Sequence, residues 1–201
     1  AKALRSVPAY IERCSHFFAI CPTVEHRDRP GVVCDYSTWL QKGDCRVSLC
    51  TLMVARNDQT PAIIVKGGEG SPSMICSTVA APRSPGMGIY TCCALGHVLN
   101  GNPIPCEKEQ FGPIMLKMLE KRRLHHRDRG ELVSYRTWTA FSSWFLRGYP
   151  VSLNKPSSVE EFLTEYLLES PTDEQNTGSG YSPLILAATA GNLEVVEGLL
   201  D

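Results

Sequence analysis

Three cysteines and a histidine, Cys92, Cys93, His97 and Cys106, crowd into one irregular stretch of the chain, with Cys76 a little upstream. Soft thiolate and imidazole ligands at this density are what a structural zinc ion takes. The spacing argues the other way. Zinc motifs place two cysteines about two to four residues apart, and adjacent residues in an extended segment point to opposite faces. Read as a short strand, residues 89–93 would separate the Cys92 and Cys93 side chains. The expectation is therefore no metal, but buried free thiols beside a hydrogen-bonded histidine.

Other chemistry-bearing groups are weaker. Gly67, Gly68, Glu69, Gly70 and Ser71 follow an apolar run, the place where an open α/β sheet binds phosphate. A phosphate loop must then open a helix whose N–H groups face the anion. Residues 72–78 carry no helix pattern, so a flexible loop is expected. Six basic residues, Lys117, Lys121, Arg122, Arg123, Arg127 and Arg129, outnumber Glu120 and Asp128. Such a stripe suits phosphate or an acidic partner, but it also suits the solvated C-terminal end of a helix, with His125 and His126, where the macrodipole favours positive charge. No nucleic-acid motif accompanies it, so nucleic acid is not an expected partner. Trp138, Phe141, Trp144 and Phe145 recur at helical spacing and read as core rather than as a stacking platform.

Composition narrows the class without choosing a function. With 201 residues, 43% hydrophobic and 20% charged, the chain is of ordinary globular make-up. A formal net charge of −1 offers no global attraction to nucleic acid or anionic lipid. No apolar run approaches the roughly 20 residues that cross a bilayer, and no secretory pattern opens the sequence. The 9 cysteines, an odd number, then read as reduced thiols in a cytoplasmic chain. No cofactor is expected.

The elements that would position these groups begin with a short helix over residues 6–14, capped by Ser6, with Pro8 in its first turn. The unbroken apolar run 16–22 reads as a strand buried on both faces, and 61–66 as its parallel neighbour. Between them a loop over 23–35 leads to a helix capped by Ser37 that runs to Asn57, with Gly43 as its weak point. A long helix should start near Pro113 and end in a basic turn before Gly130, and a second should span 135–145 and stop at Gly148. Ser157, Ser158 and Glu160 form a capping-box pattern that opens a helix to residue 169, followed by a polar linker over 170–179.

The last 22 residues carry the most specific pattern. Ser182, Pro183 and Leu184, then Ala187 and Ala188, Gly191 and Asn192, Val195 and Val196, Leu199 and Leu200 fall where a helix start, an inner helix, a turn and an outer helix require them. This stretch resembles one ankyrin repeat, with Ile185 in place of the usual histidine. The resemblance implies a protein-binding surface to which Ser182, Ile185, Ala190 and Asn192 contribute. One repeat cannot bury its own apolar face. The chain therefore reads as a piece of a longer protein that continues the array.

Residues 9–66, less than a third of the chain, resemble the second part of a Toll/interleukin-1 receptor-like (TIR-like) domain. The resemblance is carried by residues 17–21, by Ser37 with Trp39, by Asp44, Cys45, Arg46, Val47, Ser48 and Leu49, and by residues 62–65. Residues 11–150 are similar to a set of TIR-like proteins that also carry ankyrin repeats, through Ser-x-Trp-Leu-x-x-Gly and the later Cys-Cys-x-x-Gly-His. Enzymatic members hydrolyse NAD with a carboxylate on this helix, but the matching position is Ser48, and Asp44 stands where the family has Trp. Aligning Trp39 to that Trp puts Lys42 or Gly43 at the acid's place instead. A serine cannot supply the charge that stabilises a developing cation. For an enzymatic rival, Asp35, Asp44 and Glu69 are the nearest acids.

The expectation is an α/β domain over 1–150, a partial parallel sheet of TIR-like or flavodoxin-like kind with an irregular and helical extension. A capping helix and linker follow over 151–179, then an all-α ankyrin helix pair over 180–201. The expected function is non-catalytic protein interaction, as a scaffold or signalling adaptor, through the ankyrin surface and by self-association of the TIR-like part.

Overall fold

The computed structural model describes residues 2–55, 60–67, 73–75, 84–172 and 181–201, with side chains from residue 6 onward and without those of 73–75. The chain divides into two compact units: residues 1–115 with 147–150, and residues 116–146 with 151–201.

The first unit is mixed α/β. Helix α1 spans Lys2–Ile11 and strand β1 Phe17–Ile20; β2 (Val24–Glu25) and β3 (Val33–Cys34) form a small antiparallel hairpin. Helices α2 (Tyr36–Trp39) and α3 (Gly43–Val54) then lead to β4 (Ala62–Val65) and β5 (Ser73–Ile75). The sheet order is β1-β4-β5, with β1 parallel and β5 antiparallel to β4. The parallel pair is the one expected, but β1 is not buried on both faces. It lies at the sheet edge, where Phe18 and Ile20 are 55% and 71% exposed and only Ala19 is buried.

Capping also differs from expectation. Helix α1 begins before Ser6 and takes Pro8 into its interior. Asp35, not Ser37, caps α2: its carboxylate accepts from the Thr38 N–H while the Thr38 hydroxyl accepts from the Asp35 N–H, a reciprocal box. The single helix expected over 37–57 is two, broken at Gly43, which opens α3.

Helix α3 is the core of this unit. Val47, Leu49, Cys50, Leu52 and Val54 are all buried, spread around the helix rather than along one stripe, as befits an element covered on most sides. Arg46 is buried too, its guanidinium donating to the carbonyls of Leu40 and Ser84. A 3-10 turn at Pro85–Met87 packs against α3, and Gly43 donates its N–H to the Ile89 carbonyl while Ile89 donates to Gln41. This approach is possible only because Gly43 and Gly88 have no side chains. A Cβ on Gly88 would lie 2.5 Å from the Gly43 Cα, and a Cβ on Gly43 2.2 Å from the Tyr90 ring.

Next come α4 (Thr91–Ala94), the two-residue strands β6 (Val98–Leu99) and β7 (Asn102–Pro103), and the long helix α5 (Glu107–Asp128). The strand expected over 89–93 is thus a helical turn from Thr91 onward. Helix α5 starts well before Pro113, which sits inside it without the N–H that would bond back toward Glu109. Its C-terminal end is as expected: a basic last turn, then Gly130 in the left-handed region at φ +71°.

The second unit is helical. Helix α6 spans Leu132–Phe145, α7 Val159–Tyr166, α8 Pro183–Ala190 and α9 Leu193–Leu200. Ala140, Phe162, Tyr166, Leu168, Leu186, Ala187 and Val195 form its core, and the small Ala140 and Ala187 let α6 and α8 pack closely. The cap of α7 sits one residue later than expected, with Ser158 accepting from the Glu161 N–H and Glu161 reaching back to Ser157. Arg136, buried on α6, donates to the carbonyls of Tyr166 and Leu167 at the C-terminal end of α7, where cations are favoured.

Gly43→Ala is expected to destabilise the first unit by about 1–3 kcal/mol, because a methyl group has no room against a buried ring. A denaturant melt should show a lower midpoint than wild type; an unchanged midpoint would mean that the Tyr90 ring moves aside freely.

Candidate metal centre

Tyr90 is fully buried and stands at the N-cap position of α4, so the ring fixes where the next residues start. Its hydroxyl pairs with that of Tyr149 at 2.8 Å and lies 3.1 Å from the Pro85 carbonyl. Successive residues on a helical turn are about 100° apart rather than opposed. Cys92 and Cys93 can therefore share a side, and their sulfurs are 3.8 Å apart.

After α4 the backbone turns sharply. Gly96 and His97 are both left-handed, at φ +61° and +58°, an arrangement that a histidine adopts only at some cost. The turn brings His97 Nε2 to 3.6 Å from Cys93 Sγ. The β6–β7 hairpin then returns the chain, with Ile104 donating to the His97 carbonyl, and delivers Cys106 just before α5. One ligand atom from each of Cys92, Cys93, His97 and Cys106 lies within 4.8 Å of every other. Cys92 is buried, and burial pushes its thiol up to about 11 even though the Glu107 N–H donates to its sulfur at 3.2 Å. Spacing alone missed this group, because the helical turn and the hairpin are what fold it together; Cys76 lies outside the described residues.

The remaining sites do not converge. Asp35 is occupied as a helix cap, Asp44 is exposed on the first turn of α3, and Ser48 donates its hydroxyl to the Asp44 carbonyl. Glu69 and most of the glycine loop lie outside the described residues, and the chain continues into β5, not into a helix. In the second unit Ser182 caps α8 by accepting from the Ile185 N–H. Asn192 is buried, caps α9 and donates to the Pro156 carbonyl at 2.8 Å. Ile185 is exposed and Ala190 half-buried. No family model matches the chain, and neither a curated protein nor a solved structure matches it.

The basic end of α5 is largely committed to its own unit. Arg122 is buried with its guanidinium over the Trp138 ring, and Arg123 bonds Thr139 and pairs with Glu165 at 2.8 Å. Phe145 is buried with Trp138 and Trp144 edge-on to it, while Phe141 is exposed. His126 is buried and its Nδ1 lies 2.6 Å from Glu131 Oε2. Burial lowers the imidazole below its ordinary range, outweighing the carboxylate, with the Arg122 charge acting in the same direction. A neutral Nδ1–H donating to Glu131 fits both groups, because that bond and one from Arg129 hold the carboxyl below its usual value. The unfolded chain takes up the histidine proton first, so stability is full above about pH 6.5 and declines as pH falls below it. Thermal melts between about pH 8 and 5.5 should show that decline, and His126→Gln, which keeps an N–H donor, should flatten it. Equal slopes for the two proteins would rule the histidine out.

Proposed function

We propose that this chain is a non-catalytic protein-interaction module, in which a partial TIR-like α/β unit precedes an ankyrin-type helix pair formed by α8 and α9. The observation that carries the reading is the apolar surface left open on that pair: Leu193 and Leu200 are each 68% exposed and Ile185 45%. Its other side is already filled, with Leu186, Ala187 and Val195 packed into the core. Ser182 and Asn192 as caps, Pro183 at the first position and Gly191 in the left-handed turn agree with a stackable repeat. The occupant of the open side is a further helix pair of the same kind, and partner recognition spreads over the stacked units.

Catalysis is disfavoured by the same residues that suggest the TIR-like kinship. Ser48 offers a hydroxyl already donated to its own helix, and Asp35 is held in a cap. Self-association of the first unit is favoured by β1, which pairs only with β4 among the described strands and exposes Phe18 and Ile20.

Two idealised ankyrin repeats appended after Asp201 should melt together with the second unit and raise its Tm by several degrees. Leu193→Asp should uncouple them. Independent melting of the appended repeats would overturn the repeat reading. Incubation of the chain with NAD should release no nicotinamide; release that is lost in Asp44→Asn would favour an enzyme instead.

A further inference from the structure

We propose that Cys92, Cys93, His97 and Cys106 bind one zinc ion in a closed, tetrahedral, structural site. The bond lengths can be tested against the geometry. Zinc–sulfur bonds of ~2.3 Å and a zinc–nitrogen bond of ~2.0 Å, at tetrahedral angles, require sulfur–sulfur edges of ~3.8 Å and sulfur–nitrogen edges of ~3.5 Å. The Cys92–Cys93 sulfurs are 3.8 Å apart, and Cys93 Sγ lies 3.6 Å from His97 Nε2. No two of the four ligand atoms are further apart than 4.8 Å, so the widest gap closes by about 1 Å, within side-chain rotation. A disulfide needs its sulfurs at ~2.0 Å, far inside the separation seen for Cys92 and Cys93.

The surrounding backbone gives an independent reason. None of residues 94–103 is buried, and Leu95, Val98 and Leu99 are exposed. A two-stranded hairpin with two residues in each strand cannot hold its shape by hydrophobic burial. Asn100 and Gly101 make the two-residue left-handed turn that such hairpins favour, but the left-handed His97 just ahead of it, at φ +58°, is a costlier conformation that the exposed hairpin does not compensate. A metal clamped between α4 on one side of the hairpin and Cys106 on the other supplies that restraint. The Glu107 N–H pointing at Cys92 Sγ serves a metal-bound thiolate, as outer-shell donors do. Three thiolates and an imidazole favour zinc over the hard cations, and four protein ligands leave no open position, so the ion would stabilise rather than catalyse. Each cysteine releases its proton on binding.

The test uses the whole chain. Purified from zinc-supplemented cells under reducing conditions without chelator, it should carry about one zinc per chain by elemental analysis. Cobalt added to the stripped protein should give the d–d bands of a tetrahedral site and a thiolate charge-transfer band of three-sulfur intensity. Cys106→Ser should lower that intensity by about a third and weaken zinc retention at least tenfold. His97→Cys should retain the metal, and Cys14→Ser, outside the cluster, should leave it unchanged. A wild-type chain holding under about a tenth of an equivalent of zinc and giving no tetrahedral cobalt spectrum overturns the proposal, whatever the variants do. So does a Cys106→Ser protein that binds as wild type does.

Discussion

The first unit depends on the burial of one phenol ring. Tyr90 is packed face-on to Gly43, 5.9 Å from the Phe111 ring, with its hydroxyl bonded to Tyr149. Each neighbour comes from a different part of the chain: the start of α3, the first turns of α5, and the segment after α6. Burial raises both phenols above their ordinary range, so the bond joins two neutral hydroxyls and no charge has to be desolvated. The Tyr90 hydroxyl can donate to the Pro85 carbonyl at 3.1 Å and accept from Tyr149, so neither role is left unfilled, where an unmade buried bond would cost about 1–3 kcal/mol. Gly43 makes room beneath the ring, and Gly86 and Gly148 let two segments of the backbone cross where a Cβ on either would stand within 3.0 Å of the other segment.

In the second unit, buried polar groups join helices in a similar way. Arg136 ties α6 to the last carbonyls of α7, and Tyr135 donates to the Glu165 carbonyl at 2.8 Å. The connector before α7 is fixed to the turn between α8 and α9 by Asn192, and Lys155 donates to the Gly191 carbonyl at 3.2 Å. The apolar cluster supplies burial, while these directed bonds select one arrangement of helices that hydrophobic packing alone would leave less specific.

Legibility in the sequence followed the range of the interaction. Short-range signals are legible, namely Gly130 after α5, the helix start at Ser182 and the turn at Gly191 and Asn192, and the two apolar runs that pair as β1 and β4 stand out by composition although they are far apart in the chain. Errors came where a short apolar run fits two periods. Residues 89–93 include the β-branched and aromatic types common in strands, but tertiary packing of Tyr90 starts a helical turn at Thr91. Pro113 has the residue type of a first helical position, but the helix opens at the acidic turn of Glu107 and Glu109, just ahead of buried Phe111, and takes the proline into its interior. β1 looked doubly buried because an apolar run reports composition, not which neighbours the fold provides.

That same distinction governs the four ligand atoms. Sequence spacing presents Cys92 and Cys93 as neighbours pointing apart; the turn built on Tyr90 puts their sulfurs 3.8 Å apart, and the left-handed bend at His97 brings its imidazole to Cys93. Elsewhere in the described chain, polar side chains with the right chemistry are taken up by structure: Asp35 and Ser182 in caps, Arg123 in an ion pair, Asn192 in a buried bond. On the last helix pair Ile185, Leu193 and Leu200 face outward beside the exposed carboxylates of Glu194 and Glu197. Exposed leucines gain free energy only when something covers them, and that is the physical term on which the proposed stacking of a further helix pair rests.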